Sequence, residues 1–116
     1  GGAGRHRGGM GLRRVVEPVG HTCEFSGVGE RFSREPWGVF GGKPGKCGQF
    51  LKVMEDGAQV RLANKASNVV LEPGQAIMME TPGAGGYGPP EQRDRQAVED
   101  DIRSGKFSSQ FLNHKC

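Results

Sequence analysis

The chain has 116 residues, 34% of them hydrophobic and 7% aromatic, with a formal net charge of +3. That length suits one ordinary domain. It contains no apolar run near the ~18 residues of a membrane span, and Cys23, Cys47 and Cys116 form an odd, scattered set that reads as reduced cytosolic thiols, not a disulfide framework.

Lys and Arg outnumber acids by eight to four in residues 1–48. This is mild basicity, short of a nucleic-acid-binding tail. The 21 glycines are more than twice the usual share of about 7%. A core of normal density is hard to build from such a composition, so the chain reads as partly irregular or as part of something larger. The missing initiator Met favours a fragment, and a fragment with so little apolar surface is expected to be marginally stable alone.

Residues 1–11 hold six glycines around Arg5, His6 and Arg7. Backbone N–H groups here suit an anion, with Arg5 and Arg7 beside it. No Lys-Ser/Thr pair follows, which excludes a Walker loop. A single Arg-Gly-Gly copy is weak as an RNA-binding segment. Leu12, Val15, Val16 and Val19 argue for a strand over residues 12–19. A second strand follows over residues 21–32, with a turn near 19–21 and a bend or bulge at Gly27 to Gly29.

Residues 36–45 form the second glycine-rich loop, Pro36-Trp37-Gly38-Val39-Phe40-Gly41-Gly42-Lys43-Pro44-Gly45. Large aromatics in a glycine loop act by default as anchors to a core, so Trp37 and Phe40 are expected as structural anchors. The alternative is an aromatic pocket wall, with Lys43 meeting an anion. Asp56-Gly57 between Gln49–Val53 and residues 59–63 predicts a hairpin. Pro73-Gly74 predicts a type II turn joining residues 69–71 and 76–79 as a second hairpin.

That hairpin leads into the third glycine-rich stretch, residues 81–90, with four glycines, three prolines and Tyr87. Side chains cannot hold such a segment. Backbone hydrogen bonds, neighbouring polyproline-like segments or a ligand must do so; a flexible tail has the same composition. Beyond Pro90, Asp94 is placed to cap a helix over Arg95–Ser104 that Gly105 ends. Val98 and Ile102 share a face, and Glu99 and Arg103 are spaced for an ion pair. A frayed end is the default after residue 107.

Sites of chemistry are sparse. His21 with Cys23 and His114 with Cys116 offer nitrogen and sulfur ligands, but not at zinc-finger or ribbon spacing. Cys47 has Lys46 beside it but no local base. From residues alone the chain is a mainly β, antiparallel, glycine-rich module with one short C-terminal helix and no catalytic set or metal site.

Three ordered motifs go further: Gly4-Arg5-His6-Arg7-Gly8-Gly9-Met10-Gly11, the 36–45 loop, and Glu80-Thr81-Pro82-Gly83-Ala84-Gly85-Gly86-Tyr87-Gly88. Together they resemble the hydantoinase B/5-oxoprolinase family. Leu71-Glu72-Pro73-Gly74 and residues 94–105 are similar to that family's turn and closing helix. Ala84 stands where the family usually has Gly, and Pro89 where it often has Asp; the first narrows the loop's conformations and the second removes a capping carboxylate. The resemblance implies that residues 1–116 are the C-terminal portion of a B subunit, with 1–90 its β and glycine-rich part and 91–116 its helix and tail. It implies ATP-dependent opening of cyclic amides such as hydantoins, lactams or 5-oxoproline, with acetone and acetophenone carboxylases as relatives. ATP with Mg would sit on a partner A subunit, and any metal of B would lie upstream of this segment. Besides the rest of B and the A subunit, the implied partner is a small cyclic amide, with no nucleic acid and no membrane. Lys43, Gly85, Gly86, Tyr87 and Arg7 are the expected substrate-binding residues, with catalytic residues unassigned. The alternatives are a subunit of an ATP-dependent acetone/acetophenone carboxylase-type enzyme and a non-enzymatic, glycine-rich anion- or nucleic-acid-binding module.

Overall fold

The computed structural model describes residues 1–107. It is mainly β, with antiparallel strand pairs and one short α-helix, and it divides into two compact units.

The first to consider comprises Gly11–Glu35 and Cys47–Pro82. It contains six strands: β1 (Arg13–Val16), β2 (Cys23–Val28), β3 (Gln49–Val53), β4 (Gln59–Arg61), β5 (Lys65–Leu71) and β6 (Ala76–Glu80). One sheet has the order β1-β6-β3-β4, and β2 pairs with β5 in a second. Ile77, on the inner strand β6, is 1% exposed. Phe50 on β3 meets Phe25 edge-on at 5.3 Å and Phe32 at 4.8 Å between ring centroids, geometry that aromatic quadrupoles favour.

The Asp56-Gly57 hairpin forms as expected. Gly57 has φ 86° and donates to Met54 O, while Met54 N donates to Ala58 O. The Asp56 carboxylate accepts from Ala58 N at 2.9 Å, closing an Asx turn. Pro73-Gly74 also turns the chain, with Gly74 at φ 91° and Gln75 N donating to Glu72 O. The strands on either side, however, do not pair. β5 joins β2 and β6 joins β1 and β3, so the predicted hairpin is a corner between sheets. The buried Gln75 side chain fixes it, accepting from Glu72 N at 3.1 Å. The turn near 19–21 likewise leads from one sheet to the other, β1 pairing with β6 and β2 with β5.

The expected irregularity near Gly27 is borne mainly by the opposite strand. Phe25 pairs with Val69 and Gly27 with Ala66, which leaves the extra residue on β5. Asn68 absorbs it at φ 54°, a conformation Asn tolerates better than most residues. Its amide donates to Ser26 Oγ, and its side chain to Glu24.

The other unit is built from Gly1–Met10, Pro36–Lys46 and the described part of Gly83–Cys116, and contains no regular strand. Its helix, α1 (Arg95–Ser104), follows a short 3₁₀ turn at Pro90–Gln92. Asp94 caps α1 by accepting from Ala97 N at 3.2 Å, and Gly105 ends it at φ 65°, both as the sequence predicts. Pro89 precedes the 3₁₀ turn without a side-chain cap. The surface ion pairs run from Arg95 to Glu99 and from Arg103 to Asp100, not from Glu99 to Arg103. Ile102 is exposed and Asp101 is the buried residue of the helix, so the apolar-face reading of Val98 with Ile102 does not describe its packing. Asp94→Ala should lower stability by about 1 kcal/mol, the usual effect of losing a helix N-cap; chemical denaturation showing no change would mean that the Ala97 amide finds another acceptor.

Candidate functional site

Residues 83–88 lie at the centre of the glycine-rich unit. The 1–10 segment folds back on itself, with Gly8 N donating to Gly2 O at 2.9 Å. The 36–46 segment does the same through a tight turn at Phe40 (φ 48°) and Gly41 (φ 88°), closed by Gly42 N on Val39 O. Two positive φ values in succession are those of a type I′ turn. The arms of both hairpins surround 83–88. A Cβ added at Gly8 would lie 2.1 Å from Ala84 O, one at Gly42 2.0 Å from Gly86 O, one at Gly85 1.9 Å from Trp37 O and one at Gly86 2.2 Å from Ala3 O. Real Cβ atoms do not approach backbone so closely, so glycine is required at these contacts.

The contacts recur every third residue. Gly42 and Gly45 both face the 83–88 segment, and Gly83 and Gly86 both face residues 1–3. Ala84 and Tyr87, also three apart, are exposed. This is the period of polyproline II, with three residues per turn and no internal hydrogen bonds, where glycine permits close approach. Ala84 thus stands at an outward, exposed position of this segment.

Because polyproline-like arms bond only to their neighbours, the amides are committed. Gly83 N donates to Lys46 O, Ala84 N to Gly9 O, Gly86 N to Lys43 O, Tyr87 N to His6 O and Gly88 N to Val39 O, all at 2.8–3.0 Å. Five of the six amides in 83–88 thus build the scaffold. Gly85 and Gly86 act through close packing, and an anion cradle made of this stretch's amides does not form.

The expected binding residues fall in separate places. Tyr87 is 52% exposed; its ring stands 5.3 Å from Phe40 and 5.9 Å from His6 between centroids. Trp37 is 65% and Phe40 74% exposed, so neither plugs a core in this unit. Backbone ladders take the place that anchoring side chains would have filled. Lys43 is exposed, its backbone tied on both sides by Lys43 N on Ala3 O and Gly86 N on Lys43 O.

Arg7 leaves that face altogether. In an extended arm successive side chains diverge, and while His6 turns toward Tyr87, Arg7 turns toward α1, its Nε 3.4 Å from Asp101 Oδ1. Arg93 grips the same carboxylate twice, Nε to Oδ2 at 3.0 Å and Nη2 to Oδ1 at 3.3 Å. Its Nη1 donates to Arg5 O at 3.3 Å. The cluster borders a cavity of about 200 Å³. Sequence reading missed Asp101 and Arg93, because Asp101 looks like one more acid on an exposed helix.

Among the described residues no group of His, Cys, Asp or Glu is placed to hold a metal. Cys23 and Cys47 are free and half-buried, while His114 and Cys116 lie outside the described residues. No helix among the described residues is long and apolar enough to cross a membrane.

Residues 1–90 match the model of the Hydantoinase B/oxoprolinase family, and the chain belongs to that family. It is 39% identical over 93% of its length to an uncharacterized protein of Methanocaldococcus jannaschii, of which it covers 19%. It is 33% identical over 93% of its length to the caprolactamase subunit beta of Pseudomonas jessenii, again covering 19%. A 5-oxoprolinase of Pestalotiopsis fici is 36% identical over 90% of the chain, which spans 8% of that protein. The chain thus spans about a fifth or less of these relatives. No solved structure gives a significant match.

Proposed function

We propose that this chain is the C-terminal portion of the B subunit of an ATP-dependent enzyme that opens cyclic amides such as 5-oxoproline, hydantoins or lactams. The observation that carries this reading is the assembly of all three glycine-rich motifs into one bundle around 83–88, within the 1–90 stretch that matches the family. The names of the relatives, 5-oxoprolinase and caprolactamase subunit beta, support the substrate class. ATP with Mg is bound by an A-type partner, and the rest of B supplies any metal. The enzyme works in the cytoplasm, where Cys23 and Cys47 stay reduced.

The bundle is the scaffold. Its outward side chains Tyr87 and Lys43 border the site where the activated amide reacts, giving a hydroxyl and a positive charge to stabilise a developing oxyanion or phosphate. The committed amides of 83–88 speak against a free-standing anion- or nucleic-acid-binding module.

The test uses the complete two-subunit enzyme with MgATP and 5-oxoproline, hydantoin or caprolactam. Ring opening coupled to ADP release is expected, with none from the 116-residue chain alone. Tyr87→Phe and Lys43→Met should each lower turnover by roughly a hundredfold, as loss of an oxyanion donor does, at unchanged melting temperature, since both side chains are exposed. Normal turnover in both variants would remove these residues from the site. Bicarbonate-dependent carboxylation of acetone or acetophenone, without ring opening, would replace the hydrolase reading with a carboxylase.

A further inference from the structure

At the cavity beside α1, two guanidinium groups share one carboxylate. Each of the three Arg93 nitrogens has an acceptor, on Asp101 or Arg5 O. The same is not true of Arg7. Its Nη1 donates to Gly8 O at 3.3 Å, but its Nε is buried, lacks a hydrogen-bond partner, and meets Asp101 only at ion-pair distance. The Phe107 ring lies 4.4 Å from the Arg7 guanidinium carbon, which favours the cation but supplies no conventional acceptor. A buried charged donor without an acceptor is unfavourable, and the Arg7–Asp101–Arg93 cluster carries one positive charge in excess. Glu91 also lines the cavity but is exposed, so solvent screens its charge.

The cavity that Arg7 helps to line measures about 200 Å³. A water molecule occupies about 30 Å³ of liquid, so several heavy atoms fit. Ala3, Pro90 and Val98 line it with hydrocarbon. One excess charge, one planar donor fork and apolar walls match a carboxylate on a short aliphatic body. Phosphate, which carries more charge and no apolar part, matches less well. We propose that this cavity is a binding site for a small aliphatic monocarboxylate, its carboxylate on Arg7 and its chain against Ala3, Pro90 and Val98.

Sodium butyrate is the probe, titrated into the ¹⁵N-labelled protein at constant ionic strength, with sodium chloride and sodium phosphate in parallel. The Arg7 Nε–Hε resonance is the readout. Butyrate should shift it saturably in the millimolar range, about −4 kcal/mol of binding free energy at a Kd of 1 mM, while chloride and phosphate should not. Arg7→Lys, which keeps the charge but loses the fork, should weaken the saturable shifts of the cavity-lining backbone amides at least fivefold. Val98→Phe, which fills the cavity and leaves every charge in place, should abolish the Arg7 response. The amide spectrum confirms that each variant is folded; should Val98→Phe not fold, Arg7→Lys decides. The site is overturned by a linear butyrate response, by an equal response to chloride or phosphate, or by saturable binding that survives in a folded Val98→Phe or Arg7→Lys protein.

Discussion

Gly86→Ala is expected to destroy the glycine-rich unit, with a loss of more than about 4 kcal/mol, whereas Gly9→Ala should be close to neutral. Both replace a glycine by the smallest chiral residue in the same unit. At Gly86 the new methyl carbon would lie 2.2 Å from Ala3 O and 2.6 Å from Ala3 C. That carbonyl cannot simply withdraw, because it accepts the Lys43 amide at 2.8 Å. The Gly86 backbone is equally confined, its N–H donating to Lys43 O and its carbonyl accepting from Val39 N. Relief therefore requires parting at least two arms and leaving their backbone groups unpaired. Gly42→Ala should behave alike, since its Cβ would lie 2.0 Å from Gly86 O. Around Gly9 nothing lies within 4 Å and its φ is not in the left-handed region, so alanine there removes only unfolded-chain freedom, an effect of about 0.4–1 kcal/mol in the stabilising direction. Urea denaturation of the three variants, with amide exchange across 83–88, makes the comparison. If Gly86→Ala and Gly9→Ala unfold within about 1 kcal/mol of each other, steric closure does not hold the bundle together; effects above 4 kcal/mol are exceptional among point substitutions and so diagnostic.

Asp101→Ala should be nearly as damaging, at roughly 3–5 kcal/mol, the range for removing one partner of a buried ion pair. Asp101 is 6% exposed and is the acceptor that joins Arg93, which precedes the helix, to Arg7 in the N-terminal arm. Removing it strands two guanidinium groups where water is scarce. Asp101→Asn tests the charge, because it keeps the shape but offers one acceptor oxygen in place of two; it should fall close to the alanine variant. Arg95→Gln is the control, since the Arg95–Glu99 pair is exposed and should change stability by under about 0.5 kcal/mol. A double-mutant cycle with Arg93→Met isolates the coupling. Should Asp101→Ala unfold like Arg95→Gln, the cluster is not what docks α1 on the bundle.

What could be read from the residue order was local. The Asp56-Gly57 turn, the Asp94 cap and the Gly105 stop are each settled within a few residues by backbone angles and side-chain acceptors, and each formed as expected. The three glycine motifs, taken in order, were recognisable as one family framework, and residues 1–90 match that family; the contacts at every third residue became visible only in the folded bundle. Pairing across distance was not legible. Pro73-Gly74 encodes a turn, but whether its flanking strands pair depends on Gln75 and on the partners β5 and β6 find elsewhere. Asn68, which takes the bulge, carries no mark that separates it from other polar strand residues. The site divided for the same reason. His6 and Arg7 are neighbours in sequence, yet an extended arm turns them to different surroundings, His6 to Tyr87 and Arg7 to Asp101. Asp101, nearly a hundred residues away in sequence, became a buried charge because the folded arms brought two guanidinium groups to it, and no local pattern carries that information.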